Sequence, residues 1–335
     1  AASDVYKRQF YNCTGLTGAI IPDSVTLIAS CAFYKCTALT NVSIGSKAYI
    51  QSLAFSRCDN LSGIWVSPDN LIFSSDENGV LFNKDKTSLV CCPGGISGAY
   101  EIPDSVTSIE YYAFSDCAGL TSVTVPENVT SIGTDAFRNC TGLTDIAISN
   151  GVTEIKSSAF KDCTSLTSIT IPSSVTSIGD GVFGGCAKLS GIWVNPNNSA
   201  YSNDASGVLF NKAKTALICC PQNISGAYEI PTGVTNIRIG AFADCIGLTS
   251  VVIPNSVTSI DFSAFYNCTA LTSITIPNSV KKIECPAFRG CAGLTGIWVD
   301  SDNPTYSSNE NGVLFNKEKT ELICCPGGFS GTYEI

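Results

Sequence analysis

The sequence contains no histidine and no methionine, and only three of its 335 residues are tryptophan. Without histidine, neither a Ser-His nor a Cys-His nucleophile can be assembled. No apolar run reaches the roughly 18 residues that a membrane-spanning helix needs. We therefore expect neither histidine-activated catalysis nor membrane insertion within this segment.

Charged residues are also scarce, at 14% of the chain, whereas apolar residues make up 44%. That balance is ample for a packed core and too apolar for disorder. The formal net charge of −9 argues against nucleic acid as a partner, because binding to phosphates depends on clustered Lys and Arg.

Most of the 28 acidic residues lie in turns, where Asp and Asn favour local hydrogen bonds. Residues 74–79, SSDENG, loosely resemble a calcium loop, but the equivalent segments SNDASG and SSNENG lose or move the carboxylates. We therefore expect plain turns at these places. No enzymatic activity, cofactor or metal ion is expected in this segment.

A repeat dominates the rest of the sequence. The unit F-x-x-C-x-x-L occurs ten times, and a short alternating strand such as ITI at residues 169–171 follows each copy. Thirteen such strands begin at intervals of 22, 23 or 36 residues, at Ala19, Val42, Ile64, Tyr100, Val123, Ile146, Ile169, Ile192, Tyr228, Val251, Ile274, Ile297 and Tyr333. A coil of this length cannot bury its own apolar side, so stacking of coils into a solenoid is predicted.

Three coils are longer than the others, at 36 residues, and each follows a strand that contains Trp. Each carries GVLFNK, a polar turn, a CCP segment and then YEI. The alternation on both sides of the turn predicts a β-hairpin that projects from the stack.

The phrase LTSITIPNSV at residues 271–280, followed by I, AF, C and L at the repeat spacing, resembles the BspA-like (Treponema-type) leucine-rich repeat family. The resemblance covers residues 10–335. It implies a leucine-rich-repeat solenoid in a secreted or surface-attached bacterial protein, extracellular or at the cell surface. Members are associated with adhesion to ligands of a host or a neighbouring cell, and the family brings no catalytic residues.

Ten of the 18 cysteines occupy the repeated slot, and three adjacent pairs lie in the CCP segments. We expect the ten to be free, buried core residues. Disulfides remain an alternative, because stacked coils place equivalent Cα atoms near 5 Å. Metal binding is a weaker alternative, since the chain has neither His nor a C-x-x-C pair.

The three tryptophans occupy one outward slot. Because side chains alternate along a strand and Ile64 and Val66 point inward, Trp65 is predicted to point outward. Trp193 and Trp298 stand in the same slot, and the corresponding slot of the next strand holds Glu. The glutamates are Glu101, Glu229 and Glu334. Each Trp is therefore predicted to have a Glu as its immediate neighbour, about 4.8 Å away.

An exposed Trp beside a carboxylate suits the face of a sugar or a protein hot spot, so these six residues are the candidate ligand-binding site. Two structural explanations remain open. The Trp side chain covers the base of the hairpin, or copying of a whole block has preserved the pair without any binding role.

Residues 1–9, AASDVYKRQ, fit no repeat and match the translation of a common transposon-based sequencing adapter. We expect them to be non-native. Residues 10–335 are expected to form a single solenoid of about 13 coils, truncated at both ends, so that the natural protein continues in both directions.

Two functions are compatible with these patterns. One is a non-catalytic secreted or cell-surface solenoid for binding or adhesion, whose partner is a protein or glycan on a host or neighbouring cell. The alternative is a passive spacer that presents another domain of a larger surface protein.

Overall fold

The computed structural model describes residues 8–334 and divides the chain into two compact units, Ala1–Cys186 and Ala187–Ile335. Each unit is a β-solenoid, and none of the described residues is helical. The leucine-rich-repeat solenoid predicted from the repeat is confirmed. Of residues 1–9, only Arg8 and Gln9 fall within the described part, so the expectation of a non-native start lies almost wholly outside it.

The main strands follow the F-x-x-C-x-x-L units, and twelve of the thirteen predicted strands are present. In the first unit they are Gly18–Ile21, Asn41–Ile44, Gly63–Val66, Gly98–Glu101, Leu120–Val125, Asp145–Ile148 and Ser168–Ile171. In the second they are Gly191–Val194, Ser225–Glu229, Gly247–Val252, Ser273–Ile276 and Gly296–Val299. Tyr333 lies in no strand within the described residues, so a thirteenth strand is not seen there.

A second set of two-residue strands lies in the SVTSI segments, which sequence reasoning did not assign to strands. In the first unit they are Leu27–Ile28, Tyr49–Ile50, Ser108–Ile109, Ser131–Ile132, Glu154–Ile155 and Ser177–Ile178. In the second they are Asn236–Ile237, Ser259–Ile260 and Lys282–Ile283. Pairing within both sets is parallel and equivalent residues face each other, for example Val42 and Ile64 in the main set.

Each long coil adds three antiparallel strands. They are Phe73–Ser75, Leu81–Asn83 and Ser88–Cys91; Tyr201–Asn203, Leu209–Asn211 and Ala216–Cys219; and Tyr306–Ser308, Leu314–Asn316 and Leu322–Cys324. The predicted hairpin is therefore present. In the first unit, however, its last strand pairs with Ser108–Ile109, so the hairpin extends the sheet of two-residue strands. Leu81, Phe82 and Leu89 are fully buried, which explains why it does not project freely.

A column of stacked phenylalanine rings fills the interior. Phe114 and Phe137 have ring centroids 4.7 Å apart and planes within 9° of each other. In the second unit the rings of Phe242 and Phe265 lie 5.0 Å apart. After a long coil a tyrosine edge closes the column, as Tyr100 does against Phe114 at 5.8 Å. Side chains at equivalent positions of neighbouring coils thus bury one another, whereas a single coil would leave them exposed.

The repeated cysteine follows from a backbone requirement. The carbonyl of Phe137 accepts a hydrogen bond from the amide of Cys140 in its own coil. It also accepts the thiol of Cys163 in the next coil, with sulfur and oxygen 3.0 Å apart. Cys58, Cys268 and Cys291 make the same contact to the preceding Phe carbonyl. The thiol is small and apolar, and it supplies a second, weak donor to this buried carbonyl, which has two lone pairs.

No disulfide joins any of the 18 cysteines, all of which lie within residues 8–334, and nine of the ten in the repeated slot are buried. Burial raises the pKa of Cys58 from its ordinary value of 9.0 to about 12, so its thiol stays protonated and keeps its donor. Cys163 also has its pKa raised, by the hydrogen bond with Cys140 and by burial.

Thiol titration tests this arrangement. Only Cys285 and Cys325 are exposed, so native protein is expected to react quickly at these two positions and slowly elsewhere. Denatured, unreduced protein is expected to titrate all 18 thiols. Replacing Cys285 and Cys325 by Ser serves as the control and is expected to remove the fast phase. Few free thiols after denaturation would show that disulfides hold the stack.

A buried asparagine starts each long coil. Asn303 donates from Nδ2 to the carbonyls of Pro277 and Val280, at 2.7 and 3.1 Å. Its Oδ1 accepts the amides of Thr305 and Tyr306, both at 2.8 Å. Asn70 makes the equivalent four bonds in the first unit. This side chain satisfies backbone groups on both sides of the point where the coil lengthens.

The change Asn303→Asp removes both donors without changing shape. A carboxylate at this position faces two carbonyl oxygens, so the free energy of unfolding is expected to fall by about 2–4 kcal/mol at neutral pH. Chemical denaturation measures the loss. The same substitution at the exposed Asn311 is the matched control and is expected to change stability by less than about 0.5 kcal/mol. Equal stability of the two variants would contradict the assigned role.

Candidate functional site

Each tryptophan lies on the outer face of its strand and is partly exposed, at 40% for Trp65, 42% for Trp193 and 41% for Trp298. The ring of Trp65 folds back over Gly63, two residues earlier in the strand. A methyl group added at Gly63 would lie 2.6–2.7 Å from the ring atoms. Gly191 and Gly296 stand in the same relation to the other two rings. The phrase GIWV therefore fixes the orientation of the indole.

A turn of the long coil packs beside this strand. Gly79 ends the turn with a φ of +71°, and its carbonyl accepts the amide of Ile64 at 2.9 Å. An added methyl group at Gly79 would lie 2.4 Å from the Cα of Gly63, so the two glycines allow the backbones to touch. Equivalent amide–carbonyl bonds join Ile192 to Gly207 and Ile297 to Gly312.

The turn is held by its first residue. Asp76 Oδ1 accepts the amides of Asn78 and Val80, at 3.0 and 2.8 Å, and its Oδ2 accepts the hydroxyl of Tyr100 at 3.0 Å. Burial, followed by the charge of Asp76, raises the pKa of Tyr100, so the hydroxyl remains a donor. These bonds explain the side chain as a turn anchor, as the sequence predicted.

The same anchor recurs in the other two long coils. Asp204 accepts the amides of Ser206 and Val208 and the hydroxyl of Tyr228. In the third copy Asn309 replaces the aspartate, and its amide nitrogen donates to Tyr333. The contact between turn and tyrosine survives the change from carboxylate to amide, which supports a structural role for it.

The predicted Trp–Glu adjacency is wrong in one respect. Among the described residues, strand Gly63–Val66 does not pair with strand Gly98–Glu101, and the main sheet is interrupted between them. The immediate outward neighbour of Trp65 is Ser43, on the preceding coil, and that of Glu101 is Thr124. The physical reason is the turn ending at Gly79, which takes the hydrogen-bonding edge of the Trp strand.

Trp65 and Glu101 nevertheless line one open cleft, called here the first Trp cleft. Its other lining residues with polar side chains are Ser62, Glu77, Asn78, Ser97 and the largely buried Tyr100. Glu77 and Asn78 come from the turn and are exposed. The structure thus places one aromatic face, two carboxylates and several small polar groups around one depression.

The second and third copies repeat this frame with different side chains. Trp193 and Glu229 are exposed in the second, with Ala205 at the place of Glu77. Trp298 and Glu334 are exposed in the third, with Glu310 at that place. The six predicted residues therefore all lie at the surface, while the turn residue beside them varies. By equivalence, the surface around Trp193 and Glu229 is called here the second Trp cleft, and that around Trp298 and Glu334 the third.

The first Trp cleft offers an aromatic face and hydrogen-bonding groups. The chain has no histidine to activate a nucleophile. Within residues 8–334 no group of three or more Cys, Asp or Glu could hold a metal ion. The same part of the chain contains no helix long and apolar enough to cross a membrane.

Comparison with protein families identifies the repeat. The family described as the BspA type leucine rich repeat region matches in six copies, over residues 3–78, 98–206 and 220–319. This is well over half of the chain. The chain belongs to this family. The BspA-type repeats thus account for the period, the strand positions and the phenylalanine column described above.

Solved structures of two leucine-rich repeat proteins and of a bacterial antigen resemble the chain. A leucine rich cell surface protein from Faecalibacterium prausnitzii is 27% identical, with a TM-score of 0.55 and coverage of 97% of this chain and 86% of that one. A leucine-rich repeat protein from Eubacterium ventriosum is 25% identical, with a TM-score of 0.50 and coverage of 88% and 71%. The pneumococcal vaccine antigen PcpA, at 21% identity, TM-score 0.55 and coverage of 87% and 74%, shares the fold. No curated protein sequence matches the chain.

Sequence reasoning missed the two glycines and the turn that separates Trp from Glu. The signal was present, because Gly precedes IWV in all three copies and also precedes VLF in all three. A glycine kept beside a tryptophan in every copy indicates close backbone approach.

The packing of the Trp65 ring over Gly63 can be tested by mutation. Gly63→Ala is expected to displace the indole and to lower stability by about 1–3 kcal/mol, as overpacking does. Adding Trp65→Ala is expected to restore much of that loss, since the atoms nearest to the new methyl group belong to the ring. Gly18→Ala is the matched control, because it opens an equivalent strand and its added methyl meets only the Asn41 carbonyl, at 3.8 Å. Denaturation of Gly63→Ala, Trp65→Ala, the double variant and Gly18→Ala measures the coupling, and simple additivity of the Gly63→Ala and Trp65→Ala effects would contradict it.

Proposed function

We propose that this chain is a non-catalytic binding or adhesion module of a secreted or cell-surface protein, and that its Trp clefts hold a protein or glycan ligand. The observation that carries the proposal is the repetition of an oriented, two-fifths exposed indole in three long coils. Trp is enriched in binding hot spots because it offers a large rigid face at little entropic cost.

Membership of the BspA-type family supports the proposal, since repeat solenoids present extended surfaces to partners. The Faecalibacterium prausnitzii relative is described as a cell surface protein, which favours the same location for this chain. The ligand lies on a host or a neighbouring cell.

The second candidate is a passive spacer. Its support is the packing of Trp65 over Gly63 beside the turn, which gives the ring a structural use. A spacer needs only the stack, so replacement of the Trp side chains leaves its function unchanged.

A binding screen separates the two. The chain is applied to arrays of glycans and of extracellular matrix proteins, together with the variant Trp65→Ala/Trp193→Ala/Trp298→Ala. The binding function predicts signals that the triple variant loses. The control is Thr14→Ala/Thr164→Ala/Thr269→Ala, which changes exposed residues that directly follow the repeated cysteine in ordinary coils and is expected to keep the signals. Signals that survive the loss of all three Trp side chains would favour the spacer or another surface.

A further inference from the structure

The first Trp cleft carries negative charge without any positive charge to balance it. Glu77 comes from the turn and Glu101 from the strand beyond it, and both are exposed. Neither forms an ion pair within residues 8–334, and no Lys or Arg lines the cleft. The two carboxylates therefore face the same open space as the ring of Trp65.

This combination has a definite electrostatic preference. The face of an indole is the negative side of its quadrupole and attracts cations within about 6 Å. Two uncompensated carboxylates beside the ring add to that attraction, and the chain as a whole has a net charge of −9. A neutral sugar stacks on the ring and donates hydroxyl hydrogen bonds to the carboxylates, but it brings no positive charge to balance them.

We propose that the Trp clefts bind arginine side chains of a basic segment of a partner protein. The planar guanidinium stacks on an aromatic face and presents five donors, so it can meet the ring and the carboxylates together. The proposal rests on the binding function proposed above and specifies the chemistry of its ligand.

The three copies differ in a way that the proposal uses. At the place of Glu77, the second copy has Ala205 and the third has Glu310, while the strand glutamate is present in all three. Ala205 is exposed, and the backbone of its turn is held by the same bonds to Asp204 as in the first copy. The second cleft is thus a naturally weakened version of the first.

Single-tryptophan proteins report on one cleft at a time. Trp193→Phe/Trp298→Phe leaves the first cleft as the only Trp reporter, and Trp65→Phe/Trp298→Phe leaves the second. Each is titrated, at constant ionic strength, with the acetylated amide peptide Gly-Ser-Arg-Ser-Gly and with the same peptide carrying citrulline. Citrulline keeps the shape of arginine and removes its charge.

In the first cleft, the half-maximal change of Trp fluorescence is expected at an about 3-fold lower concentration of the arginine peptide than of the citrulline peptide. The second cleft is expected to bind the arginine peptide about 2-fold more weakly than the first. In the matching single-Trp backgrounds, Ala205→Glu is expected to strengthen the second cleft and Glu77→Ala to weaken the first, with unchanged thermal unfolding. The arginine preference is expected to shrink as salt is added.

Equal response to both peptides, or no response to either, would overturn the proposal for arginine. In that case the array result still decides the broader function, because glycan or matrix signals that depend on the three Trp side chains would remain. If, in addition, the arrays show no signal that depends on the three Trp side chains, both proposals are wrong. Response to arginine without any effect of Glu77→Ala and Ala205→Glu would also contradict the proposed role of the turn residue.

Discussion

The rest of the structure depends on one constraint, which is that hydrogen bonds join successive coils at a fixed sequence spacing. The amide of Phe114 donates to the carbonyl of Ala136, one coil later, at 2.7 Å. In return the thiol of Cys140 donates to the carbonyl of Phe114. Both bonds span one coil, so a residue added inside an ordinary coil would misalign them together. Inward positions are thereby fixed while outward positions are free to vary.

The long coils meet the same constraint by a different route. The amide of Cys92 donates to the carbonyl of Ala113 at 2.6 Å, which is the bond that a Phe makes in an ordinary coil. At the start of the coil, Asn70 caps four backbone groups that the inserted residues would otherwise leave without partners. The insertion is thus closed at both ends before the next repeat begins, and the stack resumes in register.

Much of this fold could be predicted from the sequence, because the period places each strand and alternation along the strand orients Trp65. The two-residue strands such as Ser131–Ile132 were beyond that reasoning, since two residues carry no detectable period. The distance from Trp65 to Glu101 was also beyond it. Counting strands assumes a continuous sheet, whereas contact between Gly63 and Gly79 is tertiary and interrupts the sheet at that point.

The interruption of the main sheet beside each Trp has a consequence for how such proteins diversify. Hydrogen bonds of the first residue and of the final glycine hold the turn. The side chains of the two residues between them are exposed and take no part in the packing between coils. Glu77 and Asn78 in one copy correspond to Ala205 and Ser206 in another, within the same backbone frame. The side chains at these two positions can therefore change while the hydrogen bonds that hold the turn stay in place.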